Sequence, residues 1–228
     1  MELKKSFYKY FYEFIVLFIA VFMGFAAENF RENISENQKE SMLMKSLLND
    51  LKTDSIQLQE IIEANTRKSE ALGSFIEIRH LDFNQKTNLY LFYDSWKPIG
   101  MWSAINFDPT KATLNQLKST GALSSIEPTL AAAIALYDVS LEKNKFEAAN
   151  YYKHTEETFR MIYDMIDYIA IWNDPPENPP IQKDDIYLMK FFNLSADLMW
   201  TIDGYIETLE NISQQISELI VSIEIEYD

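Results

Sequence analysis

Residues 198–223 read LMWTIDGYIETLENISQQISELIVSI. Their large apolar residues Leu198, Ile202, Tyr205, Leu209, Ile212, Ile216, Leu219 and Ile223 alternate by four and three without a break. A strand would repeat every second residue, whereas this spacing lines all eight along one side of an α-helix, with carboxylates and amides opposite. A stripe that long must be buried against another element. The stretch predicts a bundle helix over 186–226, and the fold class it sets is all-α.

Upstream, Pro128 opens a second helix that can reach Trp172, carrying Leu130, Ile134, Tyr137, Leu141, Ala148, Tyr151, Phe159, Ile162, Ile166 and Ile169 on one stripe. The linker NDPPENPPIQKDD (173–185) ends it, because prolines cannot continue a helix. Its carboxylates Asp174, Glu177, Asp184 and Asp185 lack the Gly-containing pattern of a calcium loop. A third seam, Met44, Leu48, Leu51, Ser55, Leu58, Ile62, Asn65, Ser69, Leu72 and Ile76, again alternates by four and three. No Pro or Gly interrupts Glu28 to Leu72, so this helix can continue unbroken from whatever precedes it. Ser55, Asn65 and Ser69 read as a partly solvated seam.

Residues 80–127 are less regular and predict short helices joined by turns. Asp108-Pro109 suits an N-cap followed by Pro at N1, and Gly121 suits the position after a helix ending near Lys118. Tyr90, Phe92, Tyr93, Trp96, Trp102 and Phe107 crowd this region. They can cap the open end of a bundle, line a pocket or meet a partner, with Tyr90, Tyr93, Trp96 and Trp102 the candidates for a distal partner surface. The simplest topology has the first helix rising, 128–172 returning and 186–226 rising again, with the short helices at the far end and the proline linker near the start.

At the N-terminus, Lys4, Lys5 and Lys9 precede an uncharged run, FIVLFIAVFMGFAA, from Phe14 to Ala27. A membrane-spanning helix needs about 20 residues, so a span would start near Phe7 or Tyr8 and take in Lys9 and Glu13. Lys9 can snorkel to the headgroups, and Tyr8, Tyr10, Phe11 and Tyr12 would form an aromatic belt. The lysines put that end in the cytoplasm. Residues 1–30 then form a cytoplasmic tip and transmembrane anchor, and 31–228 a periplasmic bundle. A cleaved signal peptide with a site at Gly24-Phe25-Ala26 and a buried core helix are competing readings. Glu13 either faces a partner helix or ion path, or pairs with Lys9 one turn earlier.

Composition narrows the chemistry. A net charge of −15 over 228 residues repels phosphate backbones, so no nucleic-acid partner is expected. Zero Cys and two His leave little material for metal or redox sites, and five Gly cannot build phosphate-cradling loops easily. His154-Thr-Glu156 is one turn of an amphipathic helix without a second histidine nearby.

Two stretches resemble a family of uncharacterised single-pass membrane proteins found mainly in Bacteroidota. Its members open with a glutamate, an apolar run, then Asn-Trp and a nearby glutamate; here Glu13, Asn29, Phe30 and Glu32 hold those places, with Phe30 for the tryptophan. The second stretch, Phe107 to Asp138, is similar to the family's later segment, its Ser-Ser-Gly turn reading Ser119-Thr120-Gly121 and Tyr137 standing where tyrosines are often paired. The resemblance implies architecture and location: a bacterial inner-membrane anchor with a helical periplasmic domain.

These features lead to an expected fold of an N-terminal transmembrane helix continuing into an elongated bundle of three long helices. No enzyme, cofactor or metal is expected. The expected role is a membrane-anchored scaffold or accessory subunit, contacting lipid and other membrane subunits or itself through Glu13, Asn29, Phe30 and Glu32. Two other roles fit: a ligand-sensing bundle that signals through a partner, and an oligomeric membrane subunit with Glu13 in an ion path.

Overall fold

The structure, a computed structural model, describes residues 2–96, 103–165 and 185–227. Helix α1, Glu2–Glu77, is one continuous helix of 76 residues, about 114 Å long at 1.5 Å per residue. It ends in a 3₁₀ turn at Ile78–His80. Helix α2 (Lys86–Trp96), a stretch without regular secondary structure at 103–111, and α3 (Ala112–Thr120) follow. A 3₁₀ turn at Ala122–Ser124 leads to the long helices α4 (Pro128–Met165) and α5 (Asp185–Tyr227). Among the described residues the fold is all-α.

Helix α5 is the spine of the bundle. Its eight seam residues are all buried, none more than 2% exposed, and it packs along both α1 and α4, which meet each other far less extensively, as where Lys68 faces the Tyr151 ring. Fully burying one such Leu or Ile side chain stabilises by about 1.5–3 kcal/mol. Cross-helix contacts give the directions. Tyr227 donates to Glu40 (2.6 Å), Ser69 donates to Asp203 (2.5 Å), and Phe75 stacks on Phe192, so α5 runs antiparallel to α1. Thr158 donates to the Leu194 carbonyl and the Tyr151 and Tyr205 rings meet at 5.6 Å, so α4 is antiparallel to α5. Helix α4 is therefore parallel to α1.

That direction corrects the expected rise, return and rise. The segment after α1 does not stay at the far end: α2 packs there, but residues 103–127 run back down the bundle before α4 begins. Helix α4 must climb again, which places its C-terminal end and the start of α5 at the distal end, far from the apolar end of α1. Gly121, at φ +72°, closes α3 in the left-handed region, where a Cβ is disfavoured. The Glu127 carboxylate accepts the Leu130 N–H and caps α4 directly before Pro128. Asp108-Pro109 does not start α3. Pro109 is buried within the irregular stretch, and the helix begins three residues later at Ala112.

The seam on α1 is shifted as well. Met44, Leu48, Leu51, Leu58, Asn65 and Leu72 are buried as their spacing predicts, but Leu47, Asp54, Ile61, Lys68 and Phe75 are buried too, with Ser55, Ile62 and Ile76 only half-buried. Ser69 remains at the edge of the core. Two charged residues thus lie inside the bundle.

Candidate functional site

The first feature is the bare end of α1. Apart from half-buried Ile15, residues 14–39 are exposed, and Met44 is the first buried residue among the described side chains of the helix. An 18-residue window here has mean hydropathy 1.7, and none of it is buried against the rest of the chain. This overturns the reading as a buried core helix: α4 and α5 have their own seams and leave the apolar run unsheathed. It is the one helix among those described that is long and apolar enough to cross a membrane. Phe14, Phe18 and Phe22 stack along one side at 6.4 Å spacings.

Asn29, Phe30 and Glu32 follow on the same exposed helix, between the apolar run and the bundle, and Phe30 is 68% exposed. Nothing else in the described chain covers them. Glu13 falls within the backbone of α1, while its side chain lies outside the described set. The candidate contact residues therefore share one helix, but the structure brings no second element to them.

The distal aromatics divide differently. Phe92 is fully buried and packs on Phe75, Phe83, Phe191 and Phe192 at 5.2–6.1 Å. Trp96, proposed above as partner surface, is 3% exposed and belongs to this core, because α2 turns its apolar stripe inward over the open end of the bundle. Tyr90 and Tyr93 are half-buried, with the Lys86 ammonium 5.7 Å from the Tyr90 ring centre. Trp102 and the linker carboxylates Asp174, Glu177 and Asp184 lie outside the described residues. A cleft of about 470 Å³ opens beside this cap, lined by Arg79, Phe83, Asn84, Met189 and Phe192 among others.

The second feature is a clamp. Residues 103–110 run down the side of the bundle, held by α1, α4 and α5. The Lys68 ammonium donates to the Ser103 carbonyl (2.8 Å), and Asn65 Nδ2 donates to the Ile105 carbonyl (2.9 Å). Asn144 Nδ2 donates to the Phe107 carbonyl (3.2 Å), whose N–H is accepted by the Tyr205 hydroxyl (2.9 Å). Asp54 accepts the Thr110 N–H (2.9 and 3.1 Å) and its hydroxyl (2.8 Å). The spacing is self-consistent. Seven extended residues from Ser103 to Thr110 cover about 23 Å, and fourteen helical residues from Lys68 to Asp54 cover about 21 Å.

Buried main-chain groups outside a helix need partners, and these side chains supply them. The electrostatics follow from burial. Desolvation pushes the Lys68 ammonium down to about 8, with the Tyr151 ring 5.3 Å away and no ion-pair partner among the described residues. Burial also raises the Asp54 carboxyl, against the lowering effect of the Thr110 bonds, and raises the hydroxyls of Tyr137, Tyr151 and Tyr205.

Sequence reading missed Asp54, Lys68 and Asn144. The available signal was the alternative register 47, 54, 61, 68, 75, which holds Leu47, Ile61 and Phe75 as well as the two charges. Among the described residues no group of three or more His, Asp or Glu is placed to hold a metal ion. Comparison with protein-family models, curated proteins and solved structures finds no match.

Proposed function

We propose that this chain is a non-enzymatic helical scaffold or accessory subunit of a bacterial inner-membrane complex, anchored by the start of α1 and projecting its bundle into the periplasm. The observation that carries this reading is the continuity of α1. One helix holds a bare apolar run at one end and core seam positions at the other, so force or position at the membrane is transmitted to the bundle without a hinge. The basic residues Lys4, Lys5 and Lys9 support a cytoplasmic N-terminus. Asn29, Phe30 and Glu32, exposed where α1 leaves the apolar run, are the natural contacts for lipid headgroups or a neighbouring subunit.

Mild-detergent extraction of the full-length chain from its native membrane, followed by native mass and identification of what accompanies it, tests the subunit reading. A defined hetero-complex of fixed stoichiometry is expected. Recovery of the chain alone, or as a homo-oligomer, contradicts it.

A further inference from the structure

The strap at 103–111 is held as a bound peptide is held. Five of its main-chain groups are bonded by side chains from three different helices: the carbonyls of Ser103, Ile105 and Phe107 and the N–H groups of Phe107 and Thr110. Such bonding reads backbone and not sequence. Its side chains alternate, with Phe107 and Pro109 buried and Asn106 and Asp108 exposed, the pattern of an extended segment that fills pockets with every second residue.

The groove offers more than the strap takes. Asn65 and Asn144 are both buried, and each uses its carboxamide nitrogen while the Oδ1 atom, also buried, has no partner among the described residues. A carboxamide alongside an extended chain can donate to a carbonyl and accept an N–H together. Here only the donor half is engaged. Buried polar atoms left in this state are costly, and an occupant that engaged both halves would bind the more strongly for it.

We propose that the groove between α1 and α4 is a binding site for an extended segment of another polypeptide, one with a bulky apolar residue two positions before a proline, and that strap 103–111 fills it in the isolated chain. This deepens the accessory-subunit reading, on which it rests for biological context, by giving the partner a chemistry. Its test is separate: peptide binding by a chain recovered alone from the membrane would sink the subunit reading and leave the groove standing.

The probe is a fluorescein-labelled peptide of the strap's own sequence, SAINFDPTK, added to the full-length protein in detergent micelles, with a scrambled peptide as control. In the wild type the resident strap competes, so binding is weak. Phe107→Ala removes the strap's anchor, and saturable anisotropy at least about tenfold tighter than wild type is expected, because a larger fraction of molecules has the groove open. Adding Asn144→Ala to that variant should lose at least about tenfold again. Absence of binding by a cooperatively melting Phe107→Ala protein overturns the proposal, as does equal binding of the scrambled peptide. A strap-exchanged dimer that the peptide does not dissociate also overturns it, making a second copy the occupant. Should Phe107→Ala not fold, hydrogen exchange on the wild type decides: the Phe107 and Thr110 amides should exchange through local opening, faster than residues 51–72 of α1. Exchange only with global unfolding overturns the proposal.

Discussion

Lys68 sits in the bundle with its ammonium bonded to a carbonyl and facing a tyrosine ring, and this arrangement gives the protein a pH signature. Between about 8 and the ordinary lysine value of 10.5, the unfolded chain holds a proton that the folded chain has released. Unfolding free energy therefore rises with pH across that window. Tyr137, Tyr151, Tyr205 and Tyr227 act oppositely, since their raised values keep protons on the folded chain and lower stability once pH passes their ordinary value of 10. Chemical denaturation from pH 7 to 11 should show a rise and then a fall, and Lys68→Met should flatten the rise. An unchanged profile in that variant would mean the ammonium is not desolvated. Asp54→Ala should destabilise by about 1–3 kcal/mol in a urea melt, because it strands the Thr110 N–H. Neither residue was legible in the sequence. Charged residues are rarely buried, so the spacing on α1 points to Ser55 rather than its buried neighbour Asp54, and to Ser69, which is buried, without Lys68 beside it. Asn65 holds a true seam position, yet its polarity marks a solvated site in the sequence, whereas it is fully buried against Ile105.

Among the elements, α5 was the most legible and α3 the least. Every seam residue from Leu198 to Ile223 is in the core, because a helix buried on one stripe has only its own period to satisfy. Leu209→Ala there should cost about 2–5 kcal/mol by denaturant melt, whereas Trp200→Ala on the exposed side should change stability by less than about 0.5 kcal/mol. Asp108-Pro109 has the chemistry of a helix entry and so misplaces the start of α3, yet the same proline is buried against the bundle and the Thr110 N–H goes to Asp54. Such tertiary demands leave no local mark. Continuity of α1 is testable on its own. Spin labels at Asn29→Cys and Lys45→Cys, sixteen residues apart, should give a narrow distance distribution centred near about 24 Å before label length is added. Asn33→Pro should broaden it, while a broad distribution in the parent would mean that α1 is hinged.

At the scale of the molecule, three long helices were readable and their path was not. Period and capping fix where helices begin and which side is apolar, but the sense of α4 depends on where residues 78–127 travel, and short-connection reasoning gave the wrong sense. The connection is long enough to descend the bundle, so α4 starts near the middle of α1 and α5 ends beside Glu40. Both the Gly121 turn and the C-terminal end of α5 therefore lie on the side of the bundle nearest the apolar run of α1, and the aromatic cap on the far side. The proposed function requires that the apolar run anchors the bundle on the periplasmic face. The chain contains no cysteine, so single sites can be labelled without background. The direct measurement is labelling of Ser222→Cys and Ser6→Cys by a membrane-impermeant maleimide in cells with a permeabilised outer membrane. The account predicts that Ser222→Cys is labelled at once and Ser6→Cys only after detergent, on a chain of full mass. Labelling in the opposite order, or a mature chain lacking residue 6, would contradict it.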